Sequence, residues 1–265
     1  MKHIVFMSGG AGSYCAAKRV IERHGKQNVI LLFQDVLIED SDLYEFLNKA
    51  EAFLDVPITR ISDGRTPWQV YKDTRMLGGA FQDPCSRILK RELATKWIKK
   101  HYSPDECHLY VGIDVWEAQR MNAIQGRWAP YSVSSPLLEK PYVLKADMLK
   151  IIEQDGLGTQ RLYKLGLEHS NCGGWCIKAG QKQYRILLEK WPERFKEFEQ
   201  KEQEIADHIG KKVTVLSQKI NGQKVPMSLK EFREKAEQKT AGLLQIDFED
   251  VVNSSDQDGC ACMSI

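Results

Sequence analysis

The sequence lacks any long apolar run and any strong net charge. No stretch of its 265 residues approaches the roughly 18 apolar residues of a membrane-spanning helix. The opening residues also lack the pattern of a secretory signal. The net charge is only +2, so any nucleic-acid partner would have to bind a local basic patch. We therefore expect a cytoplasmic protein without a membrane segment.

Cysteine, by contrast, is plentiful, with seven in the chain. Cytoplasmic thiols stay reduced, so these residues are expected to bind metal or take part in catalysis rather than form disulfides. Cys15 and Cys107 are the exceptions, because they lie inside a predicted helix and a predicted strand, and we place both in the core.

Strands and helices alternate along the first half of the chain, which predicts an α/β fold: a parallel twisted, Rossmann-like sheet with helices on both faces. We expect a nucleotide-binding α/β domain over residues 1–144 and a mostly helical, cysteine-bearing region over 145–265. The predicted strands are 3–7, 28–35, 57–62 and 107–114, and the predicted helices are 13–24, 42–55, 85–102 and 145–156.

A glycine-rich turn, SGGAGS at residues 8–13, separates the first strand from the first helix. Glycine allows a ligand to approach the backbone closely, and the N–H groups at a helix N-terminus bind anions. A Walker loop is excluded because no Gly-Lys-Ser/Thr follows, and the dinucleotide fingerprint fails because position 15 is Cys. The turn therefore predicts a phosphate site of another type.

The Ser-Gly-Gly-x-x-Ser pattern resembles the pyrophosphate loop of the PP-loop ATPases, the adenine nucleotide alpha-hydrolase-like group. The resemblance implies that ATP is cleaved between its α and β phosphates and that an acceptor oxygen is adenylated. The residues that it assigns to the pyrophosphate are Ser8, Gly9, Gly10, Gly12 and Ser13.

A second polar segment, VGIDVWEAQR at residues 111–120, begins within the end of the predicted 107–114 strand and continues beyond it. It resembles the Gly-x-x-x-x-Glu-x-x-Arg segment of the phosphoadenosine phosphosulfate (PAPS) reductase branch, although Glu117 and Arg120 would equally suit a helical surface ion pair. Asp35, after the second strand, is a candidate for the nucleotide or for Mg²⁺, which the triphosphate needs. The nucleotide candidates in these two places are Asp35, Gly112, Asp114, Glu117 and Arg120, with Asp35 and Arg120 also proposed as catalytic.

Five further cysteines lie in glycine-rich or polar turns and predict a metal centre. Four thiolates satisfy Zn²⁺, and three or four satisfy an iron–sulfur cluster, so the spacing leaves both open. Cluster-dependent tRNA thiolases are similar in fold, and this resemblance favours a [4Fe-4S] cluster on Cys85, Cys172 and Cys176. Cys85 is alternatively a catalytic nucleophile or persulfide carrier. The candidate ligands are Cys85, Cys172, Cys176, Cys260 and Cys262.

Over its whole length the chain most resembles PAPS reductase-like proteins, many of them from phages and mobile elements. Its tail carries GCAC at residues 259–262 but has no Glu-Cys-Gly-x-His segment. The resemblance implies adenylation followed by sulfur transfer to a nucleic acid or nucleotide, with the basic helix 87–100 as a phosphate-contacting surface. A sulfonucleotide reductase and a nucleotide-binding accessory protein without turnover remain alternatives. The sulfur donor and the choice between monomer and homodimer are open.

Overall fold

The computed structural model describes residues 1–78 and 83–240 of the chain. They form two compact units, and each unit is built from two stretches of chain. The first contains Met1–Gly64 and Ser86–Gly174, and the second contains Arg65–Cys85 and the described residues from Trp175 onward. The sequence instead suggested one boundary after residue 144. Within the described ranges, no helix has the length and apolar character needed to cross a bilayer.

The first unit is organised around a five-stranded, entirely parallel sheet with the strand order β3-β2-β1-β4-β5. The first strand lies at the centre, where His3 pairs with Val29 on one side and with His108 on the other. The strands are β1 (Lys2–Phe6), β2 (Val29–Asp35), β3 (Ile58–Ser62), β4 (Cys107–Tyr110) and β5 (Ser132–Ser134).

Helices cover both faces of this sheet, which confirms the predicted fold class. Because side chains alternate along a strand, Val5 of β1 packs in one core with Tyr14, whereas Phe6 packs in the other with Trp128. Cys15 and Cys107 are buried in these cores, as predicted. The α-helices of the first unit are α1 (Ala11–His24), α2 (Ser41–Leu54), α5 (Leu93–His101), α6 (Met121–Trp128), α7 (Lys145–Gln154) and α8 (Arg161–Lys164), with a π-helical stretch at Arg87–Glu92.

The second unit is mainly helical and carries one antiparallel hairpin. Its core contains Trp175, which stacks on Phe198 with ring centroids 4.2 Å apart. The hairpin turns at Asn221 and Gly222, both with positive φ (51° and 78°), as expected for an Asn-Gly turn. Its elements are α3 (Pro67–Thr74), α4 (Pro84–Ser86), α9 (Gln181–Lys190), α10 (Pro192–Ile209), β6 (Leu216–Ile220), β7 (Gln223–Met227) and α11 (Leu229–Thr240).

Candidate functional site

The glycine-rich loop connects β1 to α1 at the carboxyl edge of the sheet, where parallel α/β folds bind their ligands. The Ser8 hydroxyl donates to Ser13 Oγ at 3.2 Å, and the Ser13 hydroxyl donates to the Gly10 carbonyl at 2.8 Å. Gly9 has a φ of +83°, and a Cβ added there would lie 3.0 Å from the Leu43 side chain. Conformation and space therefore both require glycine at position 9.

The N-terminus of α1 has no side-chain cap and no acidic residue in its first turn. The Ala11 N–H donates to the Tyr163 hydroxyl at 3.1 Å. The N–H groups of Gly12 and Ser13 have no acceptor within residues 1–78 and 83–240, although both residues are buried. Buried N–H groups at the positive end of a helix dipole need a partner, and an anion supplies one.

The loop and the 111–120 segment, which are a hundred residues apart in sequence, meet at two glycines. A Cβ on Gly12 would lie 2.6 Å from the Gly112 carbonyl oxygen, and one on Gly112 would lie 2.5 Å from the Ser13 nitrogen. The two backbones touch directly, and any side chain would force them apart. Gly12 and Gly112 therefore position the first turn of α1 against the end of β4.

Asp35 lies at the end of β2, the neighbouring strand. Its Oδ1 accepts hydrogen bonds from the Tyr44 hydroxyl at 2.7 Å and from the Leu37 N–H at 2.8 Å. Burial, together with the Asp35 carboxylate, raises the pKa of the Tyr44 hydroxyl, so this donor stays protonated. No hydrogen bond to Oδ2 is found in the described part of the chain. That oxygen is available to a metal ion or a ligand donor.

Some of the predicted ligand residues in the 111–120 segment form hydrogen bonds or ion pairs within that segment, and one of them also keeps a group that could contact a ligand. Asp114 accepts from the Trp116 N–H at 2.9 Å and thereby caps the 3₁₀ turn Val115–Arg120. Glu117 and Arg120 form the ion pair that their spacing allowed. Arg120 Nη2 is nevertheless buried without a hydrogen-bond partner in the described ranges. Arg120 thus keeps a donor for a ligand, and Asp114 uses its Oδ1 as a cap, while its role toward a ligand stays a prediction.

Sequence reasoning missed a group of residues that contacts the loop from α7 and α8. Gln160 is only 3 % exposed, and its Nε2 donates to the Gly9 carbonyl at 2.9 Å. The Tyr163 hydroxyl accepts from the Ala11 N–H, and the Lys145 ammonium lies 4.8 Å from the centre of the Tyr163 ring. No spacing rule connects these residues with the loop about 150 positions earlier, so only the tertiary structure identifies them.

The first cysteine turn contains a second cradle of N–H groups, and this one is filled. Cys172, Gly173 and Gly174 have consecutive positive φ values of 53°, 57° and 84°. The Cys172 and Gly173 N–H groups both bond to the buried Glu39 carboxyl group, the latter at 3.4 Å. Burial raises the pKa of Glu39 to about 7. The paired glycines thus serve a turn that binds Glu39, a residue that the cysteine pattern did not indicate.

Two further candidate cysteines, Cys85 and Cys176, belong to the second unit. The Tyr71 hydroxyl donates to Cys85 Sγ at 3.0 Å, and the Tyr184 hydroxyl donates to the Cys176 carbonyl at 3.2 Å. Within neither unit do the described residues bring together three His, Cys, Asp or Glu side chains able to bind a metal. Cys260 and Cys262 lie outside the described residues. A metal centre on the five cysteines stays a prediction.

The basic helix 87–100 exposes fewer cations than its sequence suggested. Arg87 is paired with Glu92 at 2.6 Å, and Lys90 is buried. Lys96, Lys99 and Lys100 are exposed. A nucleic-acid contact on this helix would depend mainly on these three lysines, all of them in α5.

Comparison with known proteins adds no relative. No protein-family model matches this sequence, and a search of the curated proteins finds no match. The protein is therefore classified by its fold alone. The first unit is a parallel, Rossmann-like α/β unit with candidate ligand-binding groups at the carboxyl edge of its sheet.

Proposed function

We propose that this protein is a PP-loop ATP pyrophosphatase that adenylates an acceptor and then replaces the activated oxygen by sulfur. ATP would bind at residues 8–13, with its β and γ phosphates at the N-terminus of α1. The acceptor oxygen attacks the α phosphorus, pyrophosphate leaves, and a sulfur nucleophile then displaces AMP. A nucleic-acid base or a nucleotide is the proposed acceptor.

The observation that carries this proposal is the uncapped N-terminus of α1. Its first turn is buried, contains no acidic residue, and holds the Gly12 and Ser13 N–H groups without an acceptor in the described ranges. A polyphosphate would satisfy these donors and gain from the helix dipole. The position after the central strand of a parallel sheet is where such ligands bind.

The flanking residues have chemically distinct roles in the proposal. Asp35 is suited to Mg²⁺, because carboxylate oxygens are preferred ligands of that ion and its Oδ2 has no hydrogen bond in the described part of the chain. Arg120 would direct its Nη2, which has no partner among the described residues, at a phosphate oxygen, while Glu117 fixes the guanidinium. Arg120 would offset the negative charge that develops as pyrophosphate leaves, and Asp35 would do so only through the Mg²⁺ that it holds.

We propose Cys85 as the sulfur carrier, which a persulfide donor would load as a Cys85 persulfide. The outer sulfur would displace AMP from the acceptor, and a second thiol would then reduce the resulting disulfide, releasing the thiolated product and the Cys85 thiol. The Tyr71 hydroxyl donates to Cys85 Sγ, and a hydrogen bond of this kind favours the thiolate. Within neither unit do the described residues bring three cysteine, histidine or acidic side chains together as metal ligands. An iron–sulfur or zinc centre is tested by measuring iron, acid-labile sulfide and zinc in protein purified without oxygen.

The experiment that tests the function is calorimetric titration with ATP and Mg²⁺, followed by product analysis with candidate RNA and nucleotide acceptors. We expect binding, and formation of AMP and pyrophosphate rather than ADP and phosphate. The Ser8→Ala, Ser13→Ala variant should bind ATP more weakly, whereas Ser103→Ala, remote from the loop in sequence, should not. Unchanged affinity in the loop variant would refute the site. Binding without pyrophosphate release would leave a nucleotide-binding module.

A further inference from the structure

We infer that Tyr163 and Lys145 complete the phosphate site, with the Tyr163 hydroxyl donating to a phosphate oxygen and the Lys145 ammonium neutralising its charge. This inference rests on the proposed function, because it extends the same site. It adds the helices α7 and α8, about 150 residues downstream, to the machinery that binds the polyphosphate.

The Tyr163 hydroxyl lies beside the N-terminus of α1, where the proposed phosphate would bind. Its hydroxyl oxygen accepts the Ala11 N–H at 3.1 Å and lies 3.4 Å from where a Cβ on Gly10 would be. The oxygen therefore lies against the first turn of α1. The hydroxyl proton has no acceptor in residues 1–78 and 83–240. A tyrosine hydroxyl both accepts and donates, so this donor is available to an anion beside the Gly12 and Ser13 N–H groups.

Lys145 brings a positive charge to the same place. Its Nζ lies 4.8 Å from the centre of the Tyr163 ring, and no carboxylate pairs with it in the described part of the chain. Lys145 is also the first residue of α7, where the helix dipole disfavours a cation. A half-buried lysine in this position, with no counter-ion in the described part of the chain, is consistent with an anionic ligand.

Gln160 provides an independent indication that something binds here. The side chain is 97 % buried, and its Nε2 is used by the Gly9 carbonyl at 2.9 Å, yet its Oε1 has no partner among the described residues. Leaving a buried acceptor unsatisfied is costly. A metal-bound water or a ligand hydroxyl at the loop would satisfy it. Gln160 and Tyr163 thus present beside the loop an acceptor and a donor that have no partner among residues 1–78 and 83–240.

The test is calorimetric titration of the full chain with pyrophosphate and Mg²⁺. Tyr163→Phe and Lys145→Met are compared with two controls from the same region, Tyr142→Phe and Lys150→Met. We expect each site variant to lose roughly 10-fold in affinity, the usual effect of one hydrogen bond or ion pair to a charged group. The control variants should bind pyrophosphate as the wild type does, because Tyr142 and Lys150 are exposed.

A second measurement needs no variant. Acetylation of lysines in the wild-type chain is followed by mass spectrometry with and without pyrophosphate. We expect pyrophosphate to slow modification of Lys145 and to leave Lys150 unaffected. Equal rates at Lys145 with and without the ligand would overturn the inference, even where a variant had folded poorly.

The outcomes separate this inference from the function on which it rests. If the wild type binds pyrophosphate and both site variants bind it equally well, Tyr163 and Lys145 are not phosphate ligands, and the proposed function stands. If the wild type binds neither pyrophosphate nor ATP, both proposals fall. Selective loss in the site variants together with protection of Lys145 supports both.

Discussion

Two helices of the first unit, α1 and α2, begin at the same edge of the sheet, but only α2 of the two has an acidic side chain that caps its N-terminus. Asp40 caps α2, where its carboxylate accepts from the Asp42 N–H at 2.9 Å and pairs with Arg161 at 2.7 Å. The α1 helix, which follows the central strand, has no such residue. The helix that lacks a built-in anion is therefore the one at which an external anion would bind.

The Cys172 turn extends this comparison to a third set of N–H groups. Its donors bind the Glu39 carboxyl group, which the chain itself supplies. Two of the three sets of N–H groups are thus bound by side chains, whereas those of Gly12 and Ser13 in α1 have no acceptor within the described residues. Variants that add a carboxylate to one set of N–H groups, change its geometry or remove its acceptor test whether only the N-terminus of α1 binds an external anion.

The largest effect is expected from giving α1 its own anion with Gly10→Asp. Position 10 has space for a Cβ and an ordinary φ of −77°. The new carboxylate would use the N–H groups and repel phosphate, so pyrophosphate affinity should fall by roughly 100-fold or more. Calorimetry measures this loss. Gly10→Asn is the uncharged control and should lose less, and equal losses in the two variants would rule out charge as the cause.

The next effect concerns the shape of the cradle rather than its charge. Gly12→Ala should destabilise the protein by roughly 3 kcal/mol, because its Cβ would lie 2.6 Å from the Gly112 carbonyl oxygen. Denaturant unfolding gives the free energy. Gly126→Ala is the matched control in α6, where nothing lies within 4 Å of the new Cβ, and it should stabilise the protein by about 1 kcal/mol. Similar values for both variants would contradict the close approach.

The Glu39 carboxyl group, which binds the N–H groups of the Cys172 turn, should make the free energy of unfolding depend on pH. Burial raises the pKa of Glu39 from 4.5 to about 7, so the folded state binds this proton more tightly than the unfolded state does. The resulting stabilisation is complete below pH 4.5 and is lost as the pH rises to 7, by up to roughly 3 kcal/mol.

Glu39→Gln should remove this component from unfolding curves recorded between pH 4.5 and 7. Glu202→Gln is the matched variant in the second unit, where burial likewise raises the carboxyl pKa to about 7. Only the Glu39 variant should also accelerate alkylation of Cys172, since Glu202 binds other N–H groups, those of Val215 and Leu229. An unchanged pH slope in the Glu39 variant would exclude the raised pKa.

The smallest effect is expected from removing the side chain that caps the N-terminus of α2. Asp40→Ala removes the cap of α2 and should cost about 1 kcal/mol of stability. Pyrophosphate affinity should change by less than roughly 3-fold, because the N-terminus of α1 is untouched. Asp40→Asn retains a capping oxygen and should recover most of the stability. A large loss of pyrophosphate binding in Asp40→Ala would mean that Asp40, through Arg161 of α8, helps to hold the phosphate site in place.

The sequence was sufficient to predict the layout of the first unit, because local patterns specify it. Apolar runs identified β1 and β2, and the glycine turn identified the start of α1. The helices α3 and α6 and the hairpin in the second unit were missed, although Asn221-Gly222 is a recognisable turn signal. Elements of that size have little periodicity to detect.

The candidate site was predictable only where its residues lie in motifs. Ser8–Ser13 and Gly112–Arg120 could be selected from sequence, but the contact of Gly12 with Gly112 could not, since it is a backbone approach across a hundred residues. Asp35 could be chosen because it ends a strand. Glu39, Gln160 and Tyr163 act through single tertiary hydrogen bonds, and no spacing rule encodes such contacts.

The contact between Gly12 and Gly112 also restricts how this protein can evolve. A mutation that adds a side chain at either position meets the other backbone at once, and no substitution at the partner can make room, because glycine is already the smallest residue. The pair therefore cannot drift by compensation, as two packed side chains can. In any lineage that keeps this loop geometry, both positions should stay glycine together, and a lineage that loses one should have rebuilt the junction of β1, α1 and β4.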